Sequence, residues 1–115
     1  MAQMGEDMSD KPKRPQLVYS LVVEVGRKKD DGLPDKATGG ALLCYASGVD
    51  EAEAVRETVA ILKEADLAVL EVQGLGTLED RREAGEDIGA EDEALMQRAL
   101  EENSVIVAQM TPFFD

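Results

Sequence analysis

The sequence predicts an α+β domain built as a two-layer sandwich, with a mixed sheet of about four strands and two helices on one face. Three observations carry this. Strand-like and helix-like patterns follow the order strand, strand, helix, strand, helix, strand. Leu, Ile, Val and Phe supply 28 of the 115 residues, above the roughly 20% below which a highly charged chain stays disordered. Two full-length helices are too few to roof both faces of four strands but enough for one.

Residues 1–16 mix Met, Gly, Asp and Lys with Pro12 and Pro15 in no period, which predicts a flexible tail ahead of a single domain at 17–115. Leu17 to Val25 is β-branched and apolar, the pattern of a strand. Arg27 to Gly40 carries the turn signals Asp-Asp-Gly, Leu-Pro-Asp and Gly-Gly and reads as a long mobile loop, followed by a strand over Ala41 to Ser47. Asp50 can cap a helix, with Glu53 three positions on. Val55, Val59 and Leu62, widened by Ala52 and Ile61, then form the buried stripe of a helix over Glu51 to Ala65.

A third strand, Leu67 to Gln73, runs into Gly74-Leu75-Gly76, which reads as a turn; a dinucleotide fingerprint would need a small residue where Glu79 stands. Thr77 with Asp80 offers the cap of a short helix that Gly85 can stop. Three acids open a helix over Glu91 to Glu102, suiting the positive end of its dipole, and Leu95, Ala99 and Leu100 share one side of it. Asn103 ends the helix, Val105 to Met110 is the last strand, and Pro112 terminates pairing. This order resembles a ferredoxin-like or ACT-like domain with one strand moved. The resemblance spans about residues 17 to 111, includes no family motif, and implies fold alone.

Strand alternation assigns side chains to faces. Leu42, Cys44, Ala46, Ala68, Leu70, Val72, Ile106, Ala108 and Met110 are apolar and should face the helices; Leu43, Tyr45, Val69, Glu71, Gln73, Val105, Val107 and Gln109 would then line an open face. Half of that face is greasy, which predicts a homodimer formed through it or through the sheet edge. Tyr45, Glu71, Gln73 and Gln109, with Tyr19, are the polar groups expected of a small ligand site. There Glu71 could serve as a general base on a carbon acid and Tyr45 as a donor. The plainer reading leaves Glu71 in water at the rim, or pairs it with an Arg across a dimer.

Charge is lopsided. Residues 1–49 balance seven bases against seven acids, so the net charge of −13 lies wholly in residues 50–115. A field of that sign repels a phosphate backbone, so nucleic acid is disfavoured. Glu79, Asp80, Glu83, Glu86 and Asp87 lie in the densest acidic stretch, either a solubilising surface or a patch for a basic partner. Glu86-Asp87-Ile88-Gly89 lacks the ligand spacing of a calcium loop. With no His and one Cys, the chain by itself cannot build a Cys/His zinc tetrad, a cysteine-ligated iron–sulfur cluster, a disulfide or a His-dependent nucleophilic triad. No metal or cofactor is predicted. Cys44, set in an apolar run, reads as a buried inert thiol. The absence of a leader and of an 18-residue apolar run predicts a soluble cytoplasmic protein without membrane partners.

The reading favoured by these features is a small non-enzymatic binding or interaction module, homodimeric, with a preference for a basic protein or a cationic ligand. The alternative is a cofactor-free isomerase or lyase working through Glu71. A regulatory domain that senses a metabolite between subunits is a third possibility.

Overall fold

In the computed structural model, which describes residues 15–114, the chain runs β1 (Leu17–Val25), β2 (Gly39–Gly48), α1 (Glu51–Glu64), β3 (Val69–Thr77), α2 (Leu78–Glu83), α3 (Ala90–Glu102) and β4 (Val105–Phe113). The domain is α+β, as the patterning predicts. Apart from Pro15 and Gln16, the residues assigned to a tail lie outside the described part. The sheet has the order β3-β1-β2-β4, and each neighbouring pair is antiparallel. The expected mixed sheet is therefore corrected to an antiparallel one, and its strand order departs from the ferredoxin-like arrangement.

The helices do not share a face. α1 covers Leu21, Val23, Leu42, Cys44 and Ala46, through Ala54 and Leu62. α3 packs Met96 and Ala99 on Tyr45 of the opposite face, beside Val18, Leu43, Ile106 and Ala108. The two-layer sandwich with one bare face is thus replaced by a sheet with helices on both sides. The second face is roofed only in part, at the end where β1 and β4 begin.

Local chemistry explains the elements. Asp50 caps α1, its Oδ1 accepting from the Glu53 amide at 2.8 Å, while Glu53 accepts from the Val49 amide at 2.8 Å, one residue earlier than in a standard capping box. The fully buried positions of α1 are Ala54, Thr58 and Leu62, not the expected Val55, Val59 and Leu62; Ile61 is 41% exposed. Small side chains win because the helix start lies close to the sheet: a Cβ at Gly48 would meet the Ala54 amide nitrogen and the Asp50 carbonyl at 3.0 Å.

β3 continues through the Gly74-Leu75-Gly76 stretch expected to be a turn. Ser20 pairs with Gly76 and Leu21 with Gly74, leaving Leu75 as the extra residue of a bulge. Gly76 adopts φ 88, which a side chain would strain, and the Glu51 carboxylate lies where a Gly74 Cβ would be. A second irregularity, at Leu70, turns Val69 onto the α1 side and leaves Leu70 64% exposed, the reverse of the expected assignment for both. In β4 a shift at Ala108 separates Val105 and Val107, which share the face of Ala46 and Cys44, from Gln109, which lies opposite Leu43. Met110 then pairs with Leu42, while Ile106 pairs with Tyr45 on the α3 side. Strict alternation could not anticipate that swap. Pro112 does not end pairing but sits opposite Gly40.

The 27–38 segment is a built loop. Leu33 and Ala37, 6% and 5% exposed, pack into the core beside Val25 and Leu42. The Asp31 carboxylate accepts from the amides of Lys28 at 2.8 Å and Leu33 at 3.0 Å and from Arg27 Nε at 3.0 Å. Arg27 Nη1 also donates to the Pro34 carbonyl at 2.9 Å and to that of Ala37. Arg27 thus fastens the loop.

Candidate functional site

The half-roofed face is organised around a buried polar cluster. Tyr45 is 1% exposed, and its hydroxyl donates to Asp92 Oδ1 on α3 at 2.8 Å. Burial, and then the Asp92 carboxylate, push its pKa above the ordinary tyrosine value, with Arg81 working against the shift. Arg81 reaches under α2, donating from Nη1 to Ser20 Oγ at 2.9 Å and from Nη2 to Glu86 Oε1 at 2.9 Å. Asp92 and Glu86, two members of the acidic run, therefore neutralise and satisfy interior groups. The Tyr45–Asp92 partnership does not show in the sequence, because it joins residues far apart in the chain, whereas Arg81 and Glu86 are close neighbours across the end of α2.

The predicted ligand residues do not all meet. Tyr45 lies opposite Ser20 and Glu71 opposite Glu24. At ~3.3 Å per residue that is roughly 13 Å along the sheet, with two strand spacings of about 4.8 Å across it. Tyr45 is under α3; Glu71, Gln73 and Gln109 are exposed. Glu71 and Gln73 flank a shallow hollow of about 230 Å³ together with Val22, Glu24, Ala41 and Phe113. Tyr19 belongs to the other face, packed against the Leu21, Ala46 and Ala54 cluster.

The predicted partner residues divide in the same way. Asp80 completes a capping box with Thr77, its Oδ2 accepting from the Thr77 amide at 3.0 Å and its own amide donating to Thr77 Oγ1 at 3.2 Å. Glu86 holds Arg81. Glu83 and Asp87 are exposed on the surface, and Glu79 stands at the margin of a larger cavity.

That cavity, about 720 Å³, opens between α2, α3 and the start of β1. Leu17, Val18, Leu78, Ala94, Met96 and Leu100 make its walls apolar, and Glu79 and Glu93 stand over it. Arg82 is ion-paired to Glu93 across the opening. Leu17 is 47% exposed and Leu100 36%, so the walls are reachable from water. Sequence reasoning missed this groove. Its one legible signal is the apolar side of α3, of which Leu100 lines the groove.

Residues 18–114, from the second residue of β1 to the end of the described chain, match the model of a family described as Domain of unknown function (DUF8846). The chain belongs to the DUF8846 family. No curated protein and no solved structure matches it. Among the described residues, no helix is long and apolar enough to cross a membrane.

Proposed function

We propose that this DUF8846 domain is a small acidic binding module that takes a basic, amphipathic protein segment in the groove between α2, α3 and the start of β1. The observation that carries the reading is the pairing of an apolar-walled cavity of about 720 Å³ with carboxylates at its mouth, on a chain of net charge −13. Leu17, Leu78, Met96 and Leu100 offer area to an apolar side chain. Glu79 and Glu93 offer charge to the Lys or Arg residues flanking it, and the Arg82–Glu93 pair can open to let one in. The long-range field raises the encounter rate of such a segment and repels acidic competitors.

The experiment is a binding titration of an amphipathic Leu- and Lys-bearing helical peptide against wild type and Ala94→Glu, at low and high ionic strength. Ala94 is an exposed wall residue, so its replacement fills the groove without disturbing the core. Binding that weakens steeply with salt and is lost in Ala94→Glu supports the reading. Binding indifferent to both contradicts it.

The alternative, a cofactor-free isomerase or lyase using Glu71, has less support. Its carboxylate is exposed, its cross-strand neighbour is Glu24, and Tyr45 is spent on Asp92. Replacement of Glu71 by Gln would abolish any turnover found, if that reading held.

A further inference from the structure

β4 has the composition of a central strand and the position of an edge. Residues 103–114 contain no charged side chain in a chain that is 32% charged. The other uncharged strand is β2, which lies between β1 and β4, whereas among the described residues β4 has a neighbour on one side only. The opposite edge, β3, carries Glu71 and two register irregularities, features that deter the addition of a strand. The β4 edge carries no charge, one register irregularity at Ala108 against the two of β3, and, over most of its length, no proline.

Backbone direction shows where the edge is open. The Phe113 carbonyl accepts from the Thr38 amide at 2.8 Å, and the Thr111 carbonyl points at Gly40. Thr111 and Phe113 thus face β2, and the intervening Met110 and Pro112 turn their backbone groups outward. Pro112 lacks the N–H a new strand would need, so it closes the C-terminal end of the edge. Val105 to Met110 stays open. On the α1 side of this stretch Val107 and Met110 are 45% and 42% exposed, and Ile61 of α1, 41% exposed, lines the same small pocket as Val105.

We infer that β4 is a self-association edge, at which two copies of the chain pair antiparallel through Val105–Met110 into a continuous eight-stranded sheet. A second copy is the occupant that fits the charge. Two bodies of net charge −13 approach most easily along a strand with no carboxylate of its own, and 103–114 is such a strand; the acids at its Val105 end are Glu53, which holds the Val49 amide, and Glu57, both of α1. A two-fold axis across the edge sets like against like, so the row Val105, Val107, Met110 meets its own copy and the α1-side apolar patch is covered twice over. This surface is separate from the groove.

The test is sedimentation equilibrium of wild type, Val107→Lys/Met110→Lys and Leu70→Lys, the last on the β3 edge. The expected results are a wild-type mass rising from 12.4 kDa toward twice that value between low and high micromolar protein, the same for Leu70→Lys, and a double variant that stays at the lower mass with unchanged circular dichroism. Self-association should also tighten as salt screens the mutual repulsion, opposite in sign to binding at the groove, so the two readings can fail separately. A wild type that stays monomeric overturns the inference, as does a folded double variant that dimerises like wild type, or loss of the dimer in Leu70→Lys. Should the double variant unfold, hydrogen exchange of the wild type decides: amides of Val105, Val107 and Met110 must gain protection with concentration, and unchanged exchange there overturns the inference.

Discussion

Removing one oxygen from Tyr45 separates a structural role from a ligand-binding one. In Tyr45→Phe the ring keeps its packing against Met96, Ala99 and Ile106, so no cavity forms and the loss is the hydroxyl's 2.8 Å bond to Asp92 together with its interaction with Arg81. A hydrogen bond to a charged group contributes about 1.5–3 kcal/mol. Asp92 is half-buried, so water can re-solvate its carboxylate, and the expected cost is about 1–2 kcal/mol, below the ~3–5 kcal/mol expected of truncation to Ala. For a domain of this size that lowers the melting temperature by roughly 5–15 °C. Urea unfolding of the single variants Tyr45→Phe and Asp92→Ala and of the double variant should give a coupling of about 1 kcal/mol. Asp92→Ala costs somewhat more than the bond alone, since Asp92 also lies in the first turn of α3 and favours its dipole. The pH dependence adds a sign. Tyr45 has a raised pKa in the folded state, so its contribution is fully present below the unfolded value of about 10 and is lost as pH rises through the folded value. Tyr45→Phe should remove that alkaline loss. Additive single costs, or a Tyr45→Phe melting temperature equal to wild type, would refute the role of this bond in fastening α3 to the sheet.

Three other outcomes follow from the same geometry. The Cys44 thiol is fully buried and its pKa is pushed up to about 11 by desolvation, so a thiol reagent at neutral pH should label it only at the rate of unfolding, and fast labelling of native protein would show the core to be open. Asp31 is held down to about 2 by the Lys28 and Leu33 amides and by Arg27. Its contribution is therefore present above the unfolded value near 4 and lost as pH falls toward 2, and Asp31→Asn should show a shallower acid-unfolding slope across that window than wild type. Glu71 stands opposite Glu24, so Glu71→Lys replaces a like-charge pair with an opposite-charge one and should stabilise by about 0.2–1 kcal/mol in low salt; a destabilised variant would mean the two side chains do not face each other.

The strands and helices were legible because their signals are local. Asp50 with Glu53, Thr77 with Asp80, and Asn103 in the left-handed region at φ 49 all act within one turn of chain. What the sequence concealed depends on distant partners. The side of the sheet that α3 occupies is decided by the fit of Met96 and Ala99 onto Tyr45, and nothing in the period of α3 says which face it will meet. The bulges at Leu70, Leu75 and Ala108 each shift the side-chain period by one residue and so defeat alternation. The 27–38 loop looked unattached because its two anchors, Leu33 and Ala37, are isolated apolar residues without a period.

The candidate site was legible only in outline. The charge asymmetry and the acidic run were visible, but the division of that run into capping, ion-pairing and free carboxylates was not: Asp80 is consumed by Thr77, Glu86 by Arg81 and Asp92 by Tyr45. Glu79 at the groove emerges once those commitments are removed, beside Glu93, which is paired to Arg82. The groove itself needs the start of β1 beside α2 and α3, a juxtaposition set by topology.

The most direct test of the binding account is a two-dimensional amide NMR titration of the Leu- and Lys-bearing helical peptide at low ionic strength, followed by added salt. Shifts should concentrate at Leu17, Val18, Leu78, Ala94 and Leu100 and reverse as salt is raised. Shifts centred instead on Glu71 and Gln73, or no shifts at all, would contradict it.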